Sequence, residues 1–183
     1  MLILRKILQQ GEFMDFLSRR SIRKYTSQNI EKEKLDEILK VALTSPTGRN
    51  LKPFELVVVK EKTILAKLSL SKSVGSAMLK EADTAIVVLG NPKISNTWNE
   101  DASIVSFSIQ LKAFDLGLGS CWINVKERKT SDNVESEEYI KSILSIPSHL
   151  KIVSIISLGY PNEKKPPHTE NDIDLSKVHL NRY

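Results

Sequence analysis

The spacing of apolar residues predicts several helices along the chain. Apolar residues recur at three- and four-residue steps in six segments, at about 14–17, 31–43, 62–71, 76–81, 99–116 and 134–145. The segment at 99–116 is the longest. Its apolar face comprises Ala102, Val105, Ile109, Ala113 and Leu116. Gly117 follows this segment, as is typical of a residue that ends a helix.

Four short segments rich in β-branched and aliphatic residues are predicted strands: Phe54–Val59, Thr84–Gly90, Leu118–Ile123 and Ile152–Leu158. The second and fourth are almost wholly apolar, which is typical of strands covered on both faces. Together the elements predict an α+β domain with a central sheet flanked by helices. From Gly159 onward the chain is polar and proline-rich, so we expect no regular helix there. Such a tail, about 24 residues long, is expected to wrap over a surface such as a partner subunit.

Length and composition indicate one globular domain of 183 residues, 40% of them hydrophobic and 27% charged. A single cysteine, Cys121, excludes an internal disulfide framework and a multi-cysteine zinc site. No apolar run approaches the ~18 residues of a membrane span, and the start of the chain does not have the pattern of a secretion signal. We therefore expect a cytoplasmic protein with no membrane segment. Residues 1–13 are interpreted as an extension before a natural start at Met14, and residues 14–183 as the domain.

The positive charge is concentrated in the first third of the chain. The net charge is +5, and residues 1–60 hold 12 Lys and Arg against 7 Asp and Glu, whereas the remainder is balanced. Within this third, Arg19, Arg20 and Arg23 surround Ser21. Guanidinium groups and a hydroxyl suit the oxygens of a phosphate, although a solvated basic turn has the same residues. A nucleic-acid-binding arm is a weaker interpretation, because no aromatic ladder accompanies the arginines.

Two further segments could contact a flat ligand. The loop Ser45–Phe54 contains Gly48, Asn50 and Lys52, which offer backbone and side-chain donors, but an ordinary helix-to-strand connection has similar residues. The glycines of the segment 116–124 let the chain turn tightly into a strand whose backbone could approach a ring. We interpret Asp101 as a helix-dipole partner and Cys121 as a buried residue. Neither a dinucleotide fingerprint nor a P-loop is present in the sequence.

In this order and spacing, the segments resemble the FMN-dependent nitroreductase family, from about Phe16 to Tyr183. The matching motifs are Arg19–Tyr25, Pro46–Phe54, Asp101-Ala102, Leu116–Ile123 and Leu158–Pro161. The resemblance implies a mostly antiparallel sheet and an intertwined homodimer, with the C-terminal tail extending over the partner. It also implies two bound FMN molecules at the subunit interface and NAD(P)H as the electron donor.

The resemblance also implies which residues contact FMN. The phosphate and ribityl chain would be held by Arg19, Arg20, Ser21 and Arg23. The other subunit would approach the same FMN with Pro46, Thr47, Gly48, Asn50 and Lys52. The isoalloxazine would face the backbone of Trp122, Ile123 and Asn124, and basic phosphate contacts would come from Lys165 and His168. Lys52 and His168 depart from the glutamine and arginine common in the family, which makes the substrate harder to infer.

The implied activity is ping-pong hydride transfer, in which NAD(P)H reduces FMN and then leaves before a nitroaromatic, quinone or similar small-molecule acceptor binds. The chemistry resides on FMN, so no catalytic side chain and no metal are expected. A flavin-binding carrier or redox sensor would share every FMN contact and is the alternative. A small basic nucleic-acid-binding protein is a third hypothesis, motivated by the net charge.

Overall fold

The computed structural model describes residues 15–183. The predicted extension 1–13 and the proposed start at Met14 lie outside the described residues. The described chain divides into two compact units. The larger unit is Ser21–Lys164, and the smaller one combines residues 15–20 with Lys165–Tyr183.

The larger unit is built around a four-stranded sheet in the order β1-β2-β4-β3. The strands are β1 (Phe54–Val59), β2 (Thr84–Gly90), β3 (Gly119–Asn124) and β4 (Lys151–Gly159). All three neighbouring pairs are antiparallel. β2 is buried along its whole length and β4 at every residue after Lys151, in agreement with their apolar sequences. The predicted α+β class with an antiparallel sheet is confirmed.

Four α-helices accompany the sheet in the described residues: α1 (Lys32–Leu43), α2 (Lys62–Leu68), α3 (Trp98–Asp115) and α4 (Ser136–Leu144). All four were predicted, although α2 is three residues shorter than expected. The segments predicted at 14–17 and 76–81 form 3-10 turns at Phe16–Ser18 and Ala77–Lys80. These segments are too short to repay the cost of nucleating an α-helix.

The helices cover both faces of the sheet. α1 and α3 contribute to one apolar cluster, in which Ile38 and Ile109 are fully buried. α2 and α4 contribute to a second cluster, in which Leu65 and Ile140 are fully buried. The predicted apolar face of α3 is buried in the first cluster, apart from Leu116, which is only partly buried. Two covered faces explain why the central strands are apolar throughout rather than alternating.

The end of α3 directs the chain into β3. Gly117 has φ 75°, a left-handed conformation that glycine adopts without a side-chain penalty. The Gly117 N–H donates to the carbonyl of Phe114 at 3.0 Å, and the Leu118 N–H to that of Ala113 at 2.8 Å. These two bonds are those of a Schellman motif. Because Leu118 takes part in it, β3 begins at Gly119, one residue later than predicted.

The smaller unit has no α-helix among its described residues, as the proline-rich sequence predicted. It contains 3-10 turns at Phe16–Ser18, Glu170–Asp172 and Leu175–Lys177. Thr169 and Asp172 form a reciprocal capping box around the second turn. Within residues 15–183, none of the helices has both the length and the apolar character needed to cross a bilayer.

Candidate functional site

Part of the predicted phosphate-binding segment is fixed along the sheet of the larger unit. Ser21 pairs with Ser120 in a parallel bridge, and the Ile22 N–H donates to the Ser120 carbonyl at 2.9 Å. Four residues further along, the Thr26 N–H donates to the Tyr160 carbonyl at 2.9 Å. The backbone of this segment is therefore held at both ends. The Arg23 side chain between these bonds is exposed.

The remaining basic residues of the prediction lie in the smaller unit. The Arg20 guanidinium donates to the carbonyl of Pro166. His168 donates its backbone N–H to Leu17 at 2.8 Å. The unit thus brings together the predicted contacts Arg20 and His168, while Lys165 is half-buried in the same unit.

Arg19 carries an unusual feature for a surface arginine. Its Nη1 atom is buried and has no hydrogen-bond partner among the described residues. Buried polar atoms in proteins are nearly always paired, and an unpaired donor on a charged group costs free energy. An anionic ligand with several acceptor oxygens would satisfy this atom. The residues present therefore fit a phosphate-bearing group.

The predicted loop between α1 and β1 has a constrained backbone. Residues Gly48–Asn50 form a 3-10 turn, and three residues that carry side chains have left-handed φ angles: Arg49 at 55°, Asn50 at 57° and Lys52 at 50°. Inside the loop, the Lys52 N–H donates to Thr47 Oγ1 at 3.0 Å. Pro46, Arg49, Asn50 and Lys52 are exposed. The loop therefore presents polar side chains to the outside on a backbone held in an uncommon conformation.

Asp101, in the first turn of α3, is bound to this loop. Its Oδ1 accepts the Gly48 N–H at 2.8 Å, and its Oδ2 accepts the Thr97 hydroxyl at 3.0 Å. The interpretation of Asp101 as a helix-dipole partner matches its position but overlooks these bonds. In a sequence, an acidic residue in the first turn of a helix indicates only an interaction with the helix end. It does not indicate that the residue binds Gly48, which lies 53 residues earlier in the chain.

The three predicted isoalloxazine contacts lie on β3, an edge strand of the sheet. Beyond β3, the pairing is extended among the described residues by the Ser21–Ser120 bridge. The Ile123 side chain is buried, whereas Trp122 and Asn124 are half-buried. An edge strand retains backbone groups free of sheet pairing, so these residues can offer their backbone to a ligand. Cys121 is buried, which confirms its interpretation.

The predicted contacts fall at opposite ends of α3. Gly48 is bound to Asp101 in the first turn of the helix, whereas Ser120, the partner of Ser21, follows shortly after its end. With 18 residues, α3 is about 27 Å long. The structure therefore does not bring the loop and the Ser21 segment together within one copy of the chain.

A comparison with protein families gives a match that covers most of the chain. The model of the nitroreductase family matches residues 17–74 and 66–160. The chain belongs to the nitroreductase family. Membership makes this protein an oxidoreductase, and it confirms the family resemblance found in the sequence.

Individual relatives cover nearly all of this nitroreductase-family chain. A protein of Archaeoglobus fulgidus is 33% identical over 171 residues, with 91% of this chain and 95% of the relative covered. A protein of Methanothermobacter thermautotrophicus is 37% identical over 169 residues, with 91% and 84% covered. Both have the assigned name NADH dehydrogenase/NAD(P)H nitroreductase.

Solved structures agree with this assignment. An FMN-dependent nitroreductase from Clostridium difficile R20291 is 45% identical and superposes with a TM-score of 0.89, covering 91% of this chain and 97% of that one. A structure from Parabacteroides distasonis, assigned as NADH dehydrogenase/NAD(P)H nitroreductase, is 30% identical with a TM-score of 0.81 and covers 91% and 95%. The nitroreductase fold is thus established for this chain.

Proposed function

We propose that this protein is an FMN-dependent NAD(P)H oxidoreductase that reduces nitroaromatic, quinone or similar acceptors. The buried Nη1 of Arg19 carries the proposal, because a donor of this kind fits an anionic group that residues 15–183 do not supply. The Clostridium difficile structure is that of an FMN-dependent nitroreductase, which supports FMN as the cofactor. The names of the archaeal relatives include NAD(P)H, which supports it as the electron donor.

The arginines would hold the phosphate. Arg19 and Arg20 precede Ser21 and Arg23 directly, and the backbone from Ser21 to Thr26 is fixed to the sheet. A guanidinium group forms two parallel hydrogen bonds to phosphate oxygens and stays charged at any physiological pH. Lys165 and His168 would add positive charge at the same phosphate.

A second copy of the chain would complete the site. Since the loop and the Ser21 segment lie near opposite ends of α3, a helix about 27 Å long, one copy alone does not offer both to one FMN. Ile104 and Phe107, near the middle of α3, are 42% and 47% exposed. If two copies packed α3 against α3 in antiparallel fashion there, the loop of one copy would lie beside the Ser21 segment of the other. This homodimer would have two equivalent FMN sites, and the tail 165–183 would extend over the partner.

The chain would orient the reactants and exclude water. When bound, FMN would supply the hydride-transfer chemistry between NAD(P)H and an acceptor that enters after the nicotinamide leaves. The backbone of Trp122, Ile123 and Asn124 would hold the isoalloxazine at the edge of the sheet. From the partner copy, Pro46, Thr47, Gly48, Asn50 and Lys52 would cover it, and Lys52 would bring a positive charge close to the ring. No side chain of the site has to act as an acid or a base.

The test is a spectrum of the purified protein followed by an anaerobic titration. We expect the absorption bands of bound flavin, and their bleaching by NADH or NADPH, with recovery on addition of menadione or a nitroarene. A protein that neither contains flavin nor binds added FMN would refute the proposal. A protein that binds FMN but does not oxidise NAD(P)H would instead be a flavin carrier or sensor.

A further inference from the structure

We propose that Asp101 is a positioning residue for FMN binding: its buried carboxylate holds the Gly48 N–H and thereby fixes the loop Pro46–Lys52 in the shape that contacts the flavin. This inference rests on the proposed function above. Asp101 is not among the predicted FMN contacts. It would act through the loop without touching the cofactor.

Both carboxylate oxygens of Asp101 are used. The residue is 3% exposed, and its Oδ1 and Oδ2 accept from the Gly48 N–H and the Thr97 hydroxyl. Thr97 Oγ1 also lies 2.8 Å from Ser95 Oγ. Because Thr97 has a single hydroxyl hydrogen, which it donates to Asp101, Ser95 donates to Thr97. The result is an ordered chain of hydrogen bonds that orients the carboxylate toward the loop.

The loop needs an external support because its conformation is costly. Arg49, Asn50 and Lys52 have φ angles of 50–57°, a region that residues with side chains rarely occupy. The bonds inside the loop join Asn50 to Thr47 and Leu51 to Gly48, at 3.0 and 3.1 Å. They shape the turn but do not attach it to a helix. The Gly48–Asp101 bond makes that attachment, to α3.

Gly48 is the residue that permits the close approach. A Cβ at this position would lie 2.7 Å from Thr97 Oγ1, which is shorter than a normal contact. The absence of a side chain therefore lets the backbone come within hydrogen-bond distance of the carboxylate. Gly48 allows the backbone to approach, and Asp101 accepts the hydrogen bond that this approach makes possible.

The hydrogen bond that supports the loop does not use the side chains that would contact the flavin. The bond to Asp101 uses a backbone N–H and leaves the exposed side chains of Asn50 and Lys52 to face a ligand. Among the ion pairs of residues 15–183, none involves Asp101. Its negative charge is therefore directed at the loop backbone and at Thr97, without a competing cation.

The experiment compares Asp101→Ala with Asp101→Asn in the full-length protein. FMN affinity is measured by quenching of flavin fluorescence, and the exchange rate of the Gly48 amide by hydrogen exchange in the FMN-free protein. Asp101→Ala is expected to weaken FMN binding about tenfold, since it removes a hydrogen bond to a charged group, and to speed exchange at Gly48. In Asp101→Asn, the amide can still accept from Gly48 and donate to Thr97, so we expect FMN affinity within about threefold of wild type.

Ile109→Val is the matched control, because it loosens the core on the same helix without touching the loop. It should leave FMN affinity and Gly48 exchange unchanged. Equal loss of affinity in Ile109→Val and Asp101→Ala would overturn the inference, and so would unchanged affinity in Asp101→Ala. If Asp101→Ala does not fold, Gly48→Ala replaces it and is expected to lose FMN affinity and also to speed amide exchange at position 48 in the FMN-free protein, since its Cβ would push the backbone away from the carboxylate. Wild-type affinity or wild-type exchange in Gly48→Ala would then refute the inference. Failure of the wild-type protein to bind FMN would instead refute the proposed function.

Discussion

The hydroxyl of Tyr25 lies 2.8 Å from the hydroxyl of Ser157 and donates to the carbonyl of Ile22 at 2.7 Å. Ser157 is on β4, so one side chain joins the basic segment Ser21–Thr26 to the central sheet. Tyr25 is 5% exposed, and a Cβ on Gly159 would come within 2.8 Å of its ring. The tyrosine in the basic segment is thus a buried anchor that holds the proposed phosphate-binding backbone in place.

Tyr25→Phe should lower the free energy of unfolding by about 1–2 kcal/mol, because the Ile22 carbonyl loses its donor and the buried Ser157 hydroxyl loses its partner while the ring packing remains. Urea denaturation monitored by circular dichroism measures this. Tyr139→Phe is the control, since it removes an exposed hydrogen bond to the Lys67 carbonyl at 3.1 Å and is expected to cost less. Equal losses in the two variants would contradict the anchoring role.

Tyr25 also predicts a loss of stability at alkaline pH. Burial raises the pKa of Tyr25 well above its ordinary value of 10.0. Above pH 10 the unfolded chain releases the Tyr25 proton, whereas the folded chain keeps it. Because the folded state then binds more protons than the unfolded state, the free energy of unfolding falls as pH rises. We expect Tyr25 to contribute a loss of about 1 kcal/mol between about pH 9.5 and 11. Denaturation across this range should show a shallower decline for Tyr25→Phe; parallel curves would be evidence against the shift.

The sequence was sufficient for the elements but not for the contacts between distant residues. Helical spacing and apolar runs predicted α1, α3 and all four strands, because burial against a sheet imposes a periodic pattern. The Gly48–Asp101 bond leaves no such trace, since an aspartate in a first helical turn is common for other reasons. The left-handed backbone of Arg49 and Lys52 was equally hidden, because neither residue type favours it.

Arg19→Ala is expected to weaken FMN binding without destabilising the FMN-free protein. Because Arg19 Nη1 is buried without a partner among the described residues, its removal should not destabilise the FMN-free protein. FMN affinity should nevertheless fall roughly tenfold to a hundredfold, because a charge-assisted bond to the phosphate is lost. Thermal melts without FMN and fluorescence titrations with FMN measure the two effects separately.

Arg182→Ala is the control for Arg19→Ala, since it removes the same charge from an exposed position near the end of the chain. It should leave FMN affinity unchanged. A similar loss of affinity in both variants would show that net charge is responsible. Destabilisation of the FMN-free Arg19→Ala protein would show that Arg19 has a structural role.

Phe107→Asp is expected to produce a monomer. Phe107 and Ile104 lie on one exposed face of α3, and burial of a carboxylate in an apolar interface is strongly unfavourable. The monomer should also bind FMN weakly, because each site would lack the partner's loop. Light scattering after size exclusion measures the mass, and flavin absorbance in the same peak measures the cofactor.

Val74→Asp is the control for this variant, because Val74 is also apolar and is 80% exposed but lies outside α3. It should remain dimeric and bind FMN normally. A Phe107→Asp protein that remains dimeric with full flavin content would rule out an interface through this face of α3.

Gly117→Ala should lower the free energy of unfolding by about 1–2 kcal/mol through the backbone alone. A Cβ at this position would meet no atom within 4 Å in the described part of the chain, so steric contact adds nothing. The cost arises because alanine resists the φ of 75° that the Schellman motif between α3 and β3 requires. Gly117→Asn should cost less, since asparagine tolerates this conformation better. Urea denaturation of the three proteins measures their stabilities, which should decrease in the order glycine, asparagine, alanine at position 117. An alanine variant as stable as wild type would mean that this helix end adopts another conformation.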